Sequence, residues 1–359
     1  MQTRSGRAVT LTDVAMRAGV SQPTASRVLN GSARKPAPPV VEAVRKAAEE
    51  LGYVPNAAAQ ALARSATRLV GLVVQDIADP YFSAIAAGVQ QASMAHERQM
   101  MLAATLRDPA QELAIVGAFI TYRTDAIVLV GSRWSTPEAT ALSERLETDL
   151  ARYTANGGKV AVVGQPMSGA HAVVPNNRAA ATALARALFT TGLRDFVVLS
   201  GPRKLKTAAD RTAGFISGLA KEGLQARGVI DGDFTRDGGY AAAEQAIAEL
   251  SLATEGACLF AVNDVMAIGA MAALHDAGLT IPTDVQIAGF DDIPTLRDHR
   301  PGLSTVRLPL HEMGERVVEL ALNGSEEPVI VRVPGEVILR ESTNRFRLDL
   351  NQSPPTTVL

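Results

Sequence analysis

The chain has 359 residues, of which 47% are apolar and 20% charged, a composition typical of folded proteins. No apolar run approaches the roughly 18–20 residues that a membrane helix needs, and the N-terminus has no export signal, so we expect a cytoplasmic protein without membrane contact. The single cysteine, Cys258, excludes an internal disulfide framework and a cysteine-cluster metal site.

Charge is distributed unevenly along the chain. Residues 1–68 hold ten lysines and arginines against four acidic residues, a net charge of +6, and the whole-chain charge of −2 therefore leaves −8 for residues 69–359. A basic head on an acidic body is the pattern expected of a phosphate-binding module attached to a part that avoids nucleic acid.

The segment LTDVAMRAGVSQPTASRVLNG predicts two short helices joined by a turn. Thr10 or Thr12 is suited to cap the first helix, Gly19 ends it, and Ser21 is suited to cap the second. A third helix is predicted over about Pro38–Leu51. The pattern indicates an all-α helix-turn-helix domain over residues 1–55, whose second helix would enter the major groove of DNA.

Three residues of the second helix are expected to face outward. Gln22 suits adenine, Arg27 suits guanine, and Thr24 suits a phosphate or a thymine methyl group. An ordinary three-helix bundle with a solvated basic face is the alternative interpretation.

The next segment, YVPNAAAQALARSATR, combines strong helix formers with little apolar surface. Such a helix is too short to persist alone in water, so residues 56–68 are predicted to be a hinge that becomes helical only on DNA. Its small alanines would permit close approach to the minor groove, where Leu62 would wedge a base step open.

The stretches TLTDVAMRAGVS, TASRVLNG, LGYVPNAAAQALA and RLVGLVV resemble the LacI/GalR family of bacterial repressors. The resemblance implies a homodimer on a roughly palindromic operator, with paired hinge helices in the minor groove. It implies base contacts from Gln22, Pro23 and Arg27 and wedging by Leu62 beside Ala59. Phosphate and backbone contacts are expected from the remaining polar residues of this region, namely Thr10, Ser21, Thr24, Asn30 and Asn56.

One stretch, ARKPAPPVVEAV, departs from the family pattern. Ala37, Val40 and Val41 stand where the family usually has a Ser/Thr cap and a Thr-Arg pair. We therefore expect Arg34 and Lys35 to supply the phosphate contacts at this edge.

Strand and helix patterns alternate from residue 69 to residue 346, which predicts an α/β body with parallel sheets flanked by helices. The alternation runs through two successive series, and this indicates two lobes rather than one large sheet. The resemblance implies a periplasmic-binding-protein-like body whose late crossings fall near 301–309 and 331–336. The expected divisions are a first lobe of about 69–172 and 307–333, a second lobe of about 173–306 and 334–346, and a disordered tail over 347–359.

Polar residues follow several predicted strands. Asn263 and Asp264 follow LFAV, Asp291 and Asp292 follow QIAGF, and Arg211 lies at the start of a helix. Ligands of such folds bind beyond the carboxyl ends of the strands, which in a two-lobed body means the cleft. The alternative is that Asn263 and Asp291 merely cap the helices that follow them.

The resemblance implies that Arg211, Asn263 and Asp291 contact the effector. It also places Tyr81 and Phe82 near the ligand in the first lobe, and Phe234 in the second. Gln165 stands where the family often has an aspartate and is expected to replace it. A sugar or sugar derivative is the expected effector, with a nucleobase or nucleoside as the alternative.

No phosphate-binding loop, nucleophile elbow or HExxH pair is present, so neither catalysis nor a cofactor is expected. A solute-binding protein without a regulatory role is disfavoured by the basic head. We therefore expect a ligand-responsive repressor that dimerises through helices beginning near Pro80, Pro109 and Asn263. Its two half-sites should lie about one helical turn, ~10 bp, apart.

Overall fold

A computed structural model describes residues 9–30, 36–54, 67–250, 252 and 256–343. The chain divides into two compact units, Met1–Arg68 and Leu69–Leu359. In the described residues of the first unit the helices are α1 (Leu11–Arg17), α2 (Gln22–Asn30) and α3 (Pro38–Leu51).

The first unit is a helix-turn-helix with a small apolar core. Gly19 takes φ +67°, the left-handed conformation that glycine adopts at low cost, and this turn separates α1 from α2. The core is formed by small side chains from all three helices, namely Val14, Ala15, Ala25, Val44, Ala47 and Ala48.

The unusual start of α3 is explained by its prolines. Ala37 occupies the N-cap position and makes no side-chain capping bond. Pro38 and Pro39 occupy the first two helical positions, where the backbone N–H groups of other residues would need such a bond. Because proline has no N–H group, the loss of the usual Ser/Thr cap leaves fewer donors unsatisfied.

In the described residues of the second unit, strands and helices alternate as expected. The strands are β1 (Leu69–Val74), β2 (Gln99–Ala104), β3 (Ala126–Gly131), β4 (Lys159–Gly164), β5 (His171–Pro175), β6 (Phe196–Ser200), β7 (Gly228–Asp231), β8 (Cys258–Ala261), β9 (Gln286–Ala288), β10 (Thr305–Arg307), β11 (Ile330–Val333) and β12 (Glu336–Ile338). The helices are α4 (Pro80–Ala95), α5 (Pro109–Thr121), α6 (Pro137–Ala155), α7 (Asn177–Thr190), α8 (Lys206–Lys221), α9 (Arg236–Leu250), α10 (Asp264–Asp276) and α11 (Leu310–Asn323).

The first lobe is built on a parallel sheet with the strand order β11-β5-β4-β3-β1-β2. The central strands β1, β3 and β4 are almost continuously buried, as their unbroken apolar sequences predict. Helix α11 packs on both this sheet and α4. Gly88 of α4 and Gly314 of α11 lie at the helix crossing, where each faces backbone atoms of the other helix.

The second lobe is built on a parallel sheet with the order β7-β6-β8-β9. Helices α7 and α8 pack against each other, and so do α9 and α10. The architecture confirms the expected combination of an all-α helix-turn-helix unit and a two-lobed α/β body with parallel sheets.

The chain passes between the lobes after β5, after β10 and after β11. All of β5, to Pro175, belongs to the first sheet, so the first boundary falls a few residues beyond the expected 172. The hydrophobic pattern does not reveal this, because β5 and α7 are both apolar and are separated by a single residue. The antiparallel pair β10–β12 lies beside the second sheet.

Within the described residues, no helix is long and apolar enough to cross a bilayer. In the same part of the chain, no group of three or more His, Cys, Asp or Glu side chains is placed to hold a metal ion.

Gly88→Ala is expected to destabilise the second unit, because the added Cβ would collide with the His311 carbonyl oxygen of α11. Overpacking of this kind costs about 1–3 kcal/mol, measurable by urea unfolding. Gly117→Ala in α5 is the matched control, because nothing lies within 4 Å of its new Cβ, and it should leave stability unchanged or raise it. Equal stability of the two variants would contradict the close crossing of α4 and α11.

Candidate functional site

The residues predicted to touch DNA bases lie on the surface of α2. Gln22, Pro23 and Arg27 are exposed, and Thr24 is half-buried. Ser21 lies just before the helix, where its hydroxyl accepts a long hydrogen bond of 3.4 Å from the Thr24 N–H and contacts the Thr24 hydroxyl at 2.9 Å. The N-terminal turn of α2 therefore presents polar side chains and backbone N–H groups at one end of the unit.

Thr10 begins α1 in a capping box. Its hydroxyl accepts a hydrogen bond from the Asp13 N–H at 3.3 Å, and its own N–H donates to the Asp13 carboxylate at 2.9 Å. The opposite end of α1 is held to α3 by an Arg17–Glu50 ion pair of 2.6 Å. Helix α1 is thus fixed at both ends.

Five predicted DNA contacts lie outside the described residues, namely Arg34, Lys35, Asn56, Ala59 and Leu62, and so does the side chain of Asn30. Their roles stay predictions.

A cavity lies between the two lobes at the carboxyl ends of the parallel strands. The empty space here is about 430 Å³, a figure that includes open solvent. Six of the seven predicted effector residues line it, namely Tyr81, Phe82, Arg211, Phe234, Asn263 and Asp291.

Arg211 is the most heavily bonded side chain of the cavity. Its guanidinium forms a two-pronged pair with the Asp291 carboxylate at 2.7 and 3.0 Å. It also donates to the Asn177 side chain at 2.9 Å and to the Val262 carbonyl at 2.8 Å, and it stacks on the Phe290 ring at 4.0 Å. Four of its five N–H donors are thus bonded within the protein, and one Nη2 N–H is left for a ligand.

The sequence left two roles open for Asn263 and Asp291, namely capping a helix and contacting a ligand. The structure gives these two side chains different partners. The Asn263 side-chain oxygen does cap α10, accepting from the Met266 N–H at 2.8 Å. Its amide nitrogen has no hydrogen-bond partner among the described residues, so it is available to the cavity. Asp291, by contrast, pairs with Arg211, and its backbone takes φ +120°, an uncommon conformation for a non-glycine residue.

Aromatic rings border the cavity from both lobes. Tyr81 and Phe82 begin α4, and their rings meet edge to face with centroids 5.1 Å apart. Phe234 comes from the second lobe, where it packs against Gly201. A flat ligand or a sugar ring would meet apolar surface on both sides.

Gln165 does not line this cavity and instead joins the lobes. Its side-chain oxygen accepts from the Arg133 N–H at 2.8 Å, and its amide donates to the Thr207 hydroxyl at 3.3 Å. Gln165 therefore lies outside the cavity that the other six predicted effector residues line.

Beside Gln165, segment 132–135 of the first lobe runs along segment 204–207 of the second. The Lys206 N–H donates to the Arg133 carbonyl at 3.0 Å, and the Ser135 N–H donates to the Lys204 carbonyl at 2.8 Å. The Thr207 N–H donates to the Ser132 hydroxyl at 2.9 Å. We call this set of hydrogen bonds the inter-lobe ladder.

Sequence reasoning missed several polar residues of the cavity. Asp79 caps α4, accepting from the Tyr81 N–H at 3.0 Å. Its carboxylate also faces the cavity, and its place directly after a strand and loop was the available signal. The other missed polar residues are Gln75, Ser132, Asn177 and Thr207, which no pattern distinguished from ordinary loop and helix residues.

Burial perturbs the acidic groups at and behind the cavity. It raises the pKa of Asp291 to about 6, although the Arg211 guanidinium opposes the shift. Burial also raises the pKa of Asp79 above its ordinary value.

Asp264 lies behind the cavity and is fully buried. Burial, together with the nearby charge of Asp291, raises its pKa to about 7. Its carboxylate accepts from the Thr305 hydroxyl at 2.7 Å and from the Ile293 N–H at 3.0 Å. It thereby ties the start of α10 to the segments near the lobe crossings.

Each of the two units matches a known family model. Residues 10–56 match the family model described as bacterial regulatory proteins, lacI family, and residues 185–343 match a periplasmic binding protein-like domain. The HTH-type transcriptional regulator GalS of Salmonella typhimurium is 32% identical over 88% of this chain and 90% of its own length.

Two solved structures share the fold. A transcriptional regulator CelR–cellobiose complex matches with a TM-score of 0.65 and 27% identity, covering 93% of this chain and 99% of CelR. The lac repressor dimer bound to operator and the anti-inducer ONPF matches with a TM-score of 0.78 and 22% identity, covering 94% of this chain and 99% of the repressor.

Asp264→Asn should become progressively more stable relative to the parent protein as pH rises from 5 to 8. The Asp264 pKa is raised from 3.8 to about 7 on folding, so the folded parent binds the extra proton in this window and loses stability as pH increases. Asparagine does not titrate. The measurement is the difference in melting temperature at several pH values, and a pH-independent difference would contradict the raised pKa.

Proposed function

This chain belongs to the lacI family of DNA-binding transcriptional regulators, and from that premise we propose that it is a dimeric repressor controlled by a neutral sugar. The observation that carries the effector proposal is the group formed by Arg211, Asp291 and Asn263 between aromatic rings of both lobes. The DNA-binding proposal rests on the exposed polar residues of α2.

The charge of the cavity favours a neutral ligand. Two carboxylates, those of Asp79 and Asp291, border it against one guanidinium, that of Arg211. Asp291 already neutralises Arg211 through two hydrogen bonds. A phosphate or carboxylate on the ligand would therefore meet a net negative site, whereas hydroxyl groups would find acceptors in the carboxylates and donors in Asn263 and Arg211.

A sugar is the first candidate, because several polar groups converge on a small space that is bordered by rings on two sides. The related CelR was solved as a cellobiose complex, which supports the same class. A nucleobase or nucleoside is the second candidate, and the presence of Phe82 and Phe234 on opposite lobes favours it.

The regulatory mechanism follows from the two-lobed body. A ligand that bridges the lobes favours the arrangement held by the inter-lobe ladder, and we propose that this arrangement sets the spacing of the two DNA-binding units in a dimer. Coupling between such sites is typically about 1–3 kcal/mol. The lac repressor, of similar fold, was solved as a dimer on operator, which supports the proposed assembly.

Arg27→Ala should reduce specific DNA binding and relax base preference at one position of each half-site, with a cost of about 1–3 kcal/mol. The operator is to be obtained by selection from random duplexes, which should yield a roughly palindromic sequence. Arg17→Ala is the matched control, because it removes the same charge from an arginine that is paired with Glu50 on α3. Identical binding and specificity in the two variants would contradict base reading by Arg27.

Asp291→Asn and Phe234→Ala should abolish the response to the effector while operator binding persists. The effector is to be found by thermal shift of the full chain against neutral sugars, nucleobases and nucleosides, and then tested for release of the operator. Asp291→Asn keeps one acceptor for Arg211, and Phe234→Ala leaves that buried pair intact, so the second variant tests the site if the first is unstable. A normal response in both folded variants would remove this cavity from the effector site.

A further inference from the structure

A separate, larger cavity lies where the chain crosses between the lobes. Its volume of about 780 Å³ falls within the range of about 300–1,000 Å³ typical of ligand sites, and it is open to solvent. Ala84 of α4 and His311 of α11 border it from the first lobe, and segments 292–302 and 340–341 border it from the second. We call it the arginine cavity, because four arginines line it, namely Arg297, Arg300, Arg307 and Arg340.

One carboxylate holds two of these arginines. Oδ2 of Asp292 accepts a hydrogen bond from Nε of Arg307 at 2.7 Å, and Oδ1 lies 2.7 Å from Nη2 of Arg340. Arg340 also donates through Nη1 to the Leu303 carbonyl at 2.8 Å. Because a guanidinium has five N–H donors, both arginines keep donors beyond those engaged here.

The other two arginines meet no carboxylate in the part of the chain that the structure describes. Arg300 is anchored through Nη1, which donates to the Arg297 and His299 carbonyls at 2.9 and 2.7 Å. Within the same residues neither Arg297 nor Arg300 forms an ion pair. Three of the four guanidinium groups are therefore fixed by acceptors of the protein, and an anion that binds them has less side-chain freedom to remove.

The charge of the arginine cavity is opposite in sign to that of the body around it. Four arginines face two carboxylates, those of Asp292 and Glu341, which gives a net charge of +2 with His311 neutral. The charge stays positive, at +1, when Glu336 is added, whose carboxylate lies 3.6 Å from Nη1 of Arg307. Residues 69–359 as a whole carry −8. A concave surface of one sign concentrates the opposite charge, and guanidinium groups bind phosphate and carboxylate oxygens in pairs.

The cavity is built on the segments that join the lobes. Arg307 is the last residue of β10, and Arg340 follows β12, so these two arginines stand beside two of the three crossings. Asp292 directly follows Asp291, whose N–H donates to the Val306 carbonyl of β10 at 2.8 Å. A molecule bound to Arg307 and Arg340 would thus contact both crossing segments and the turn that carries Asp291.

We propose that the arginine cavity binds a small polyanion, a ligand with two or more phosphate or carboxylate groups. One group binds Arg297 and Arg300, which have no acidic partner of their own. A second group binds the remaining donors of Arg307 and Arg340 and competes there with Asp292. This ligand is distinct from the effector between the lobes, so the proposal stands or fails separately from the proposed function.

Calorimetric titration of the full chain tests the proposal, with inorganic pyrophosphate and citrate as probes and ionic strength held constant with KCl. At least one probe should bind, and Arg297→Gln and Arg300→Gln should each lower its affinity about ten-fold, the effect of losing a hydrogen bond to a charged group. Asp292→Asn should raise the affinity instead, because the competing charge is removed. Arg145→Gln is the matched control, because it alters an exposed arginine of α6 outside the cavity, and it should change nothing.

Arg297→Gln and Arg300→Gln alter exposed side chains, so they carry the test even if Asp292→Asn does not fold. Binding of pyrophosphate alone would assign phosphate groups to the ligand, and binding of citrate alone would assign carboxylates. No binding of either probe would overturn the proposal. An affinity that the arginine substitutions leave unchanged would also overturn it, because the anion would then bind elsewhere, as at the basic first unit. Weaker binding by a folded Asp292→Asn variant would contradict the competition.

Discussion

The cavity between the lobes depends on the burial of one charged side chain. Arg211 is almost fully enclosed, and a guanidinium there is tolerable only because Asp291, Asn177 and the Val262 carbonyl satisfy it and Phe290 covers its face. These partners come from three separate segments of the second lobe, since Phe290 and Asp291 are neighbours in the chain. Loss of the Asn177 or Asp291 side chain would leave a buried donor of Arg211 unpaired, so the lining of the cavity and the fold of this lobe share the same interactions.

This arrangement limits what a ligand can gain from Arg211. Because most of its donors are already engaged, the guanidinium contributes one free N–H and, above all, fixes the Asp291 carboxylate in place. The Asn263 amide nitrogen, which also borders the cavity, keeps its hydrogen-bonding capacity unused. A site of this kind recognises oxygens in fixed directions more than it recognises charge.

Much of this was accessible from the sequence, because parallel strands end at one edge and bring the residues that follow them together. That rule placed Arg211, Asn263 and Asp291 at one cavity. The rule failed for Gln165, which also follows a strand but hydrogen-bonds to the Arg133 backbone and to Thr207 of the other lobe. The residues around Gln165 in the sequence do not determine which neighbour its flexible side chain contacts.

The inter-lobe ladder has a consequence for how such a protein changes over evolutionary time. Two of its hydrogen bonds join backbone to backbone, Lys206 to Arg133 and Ser135 to Lys204. They depend on no particular side chain at the four positions, except that proline at either donor position would remove the N–H. Mutations that remodel the pocket for a new metabolite therefore leave the closing contact between the lobes largely untouched. The chemistry of the cavity lining and the contact between the lobes can therefore change independently of each other.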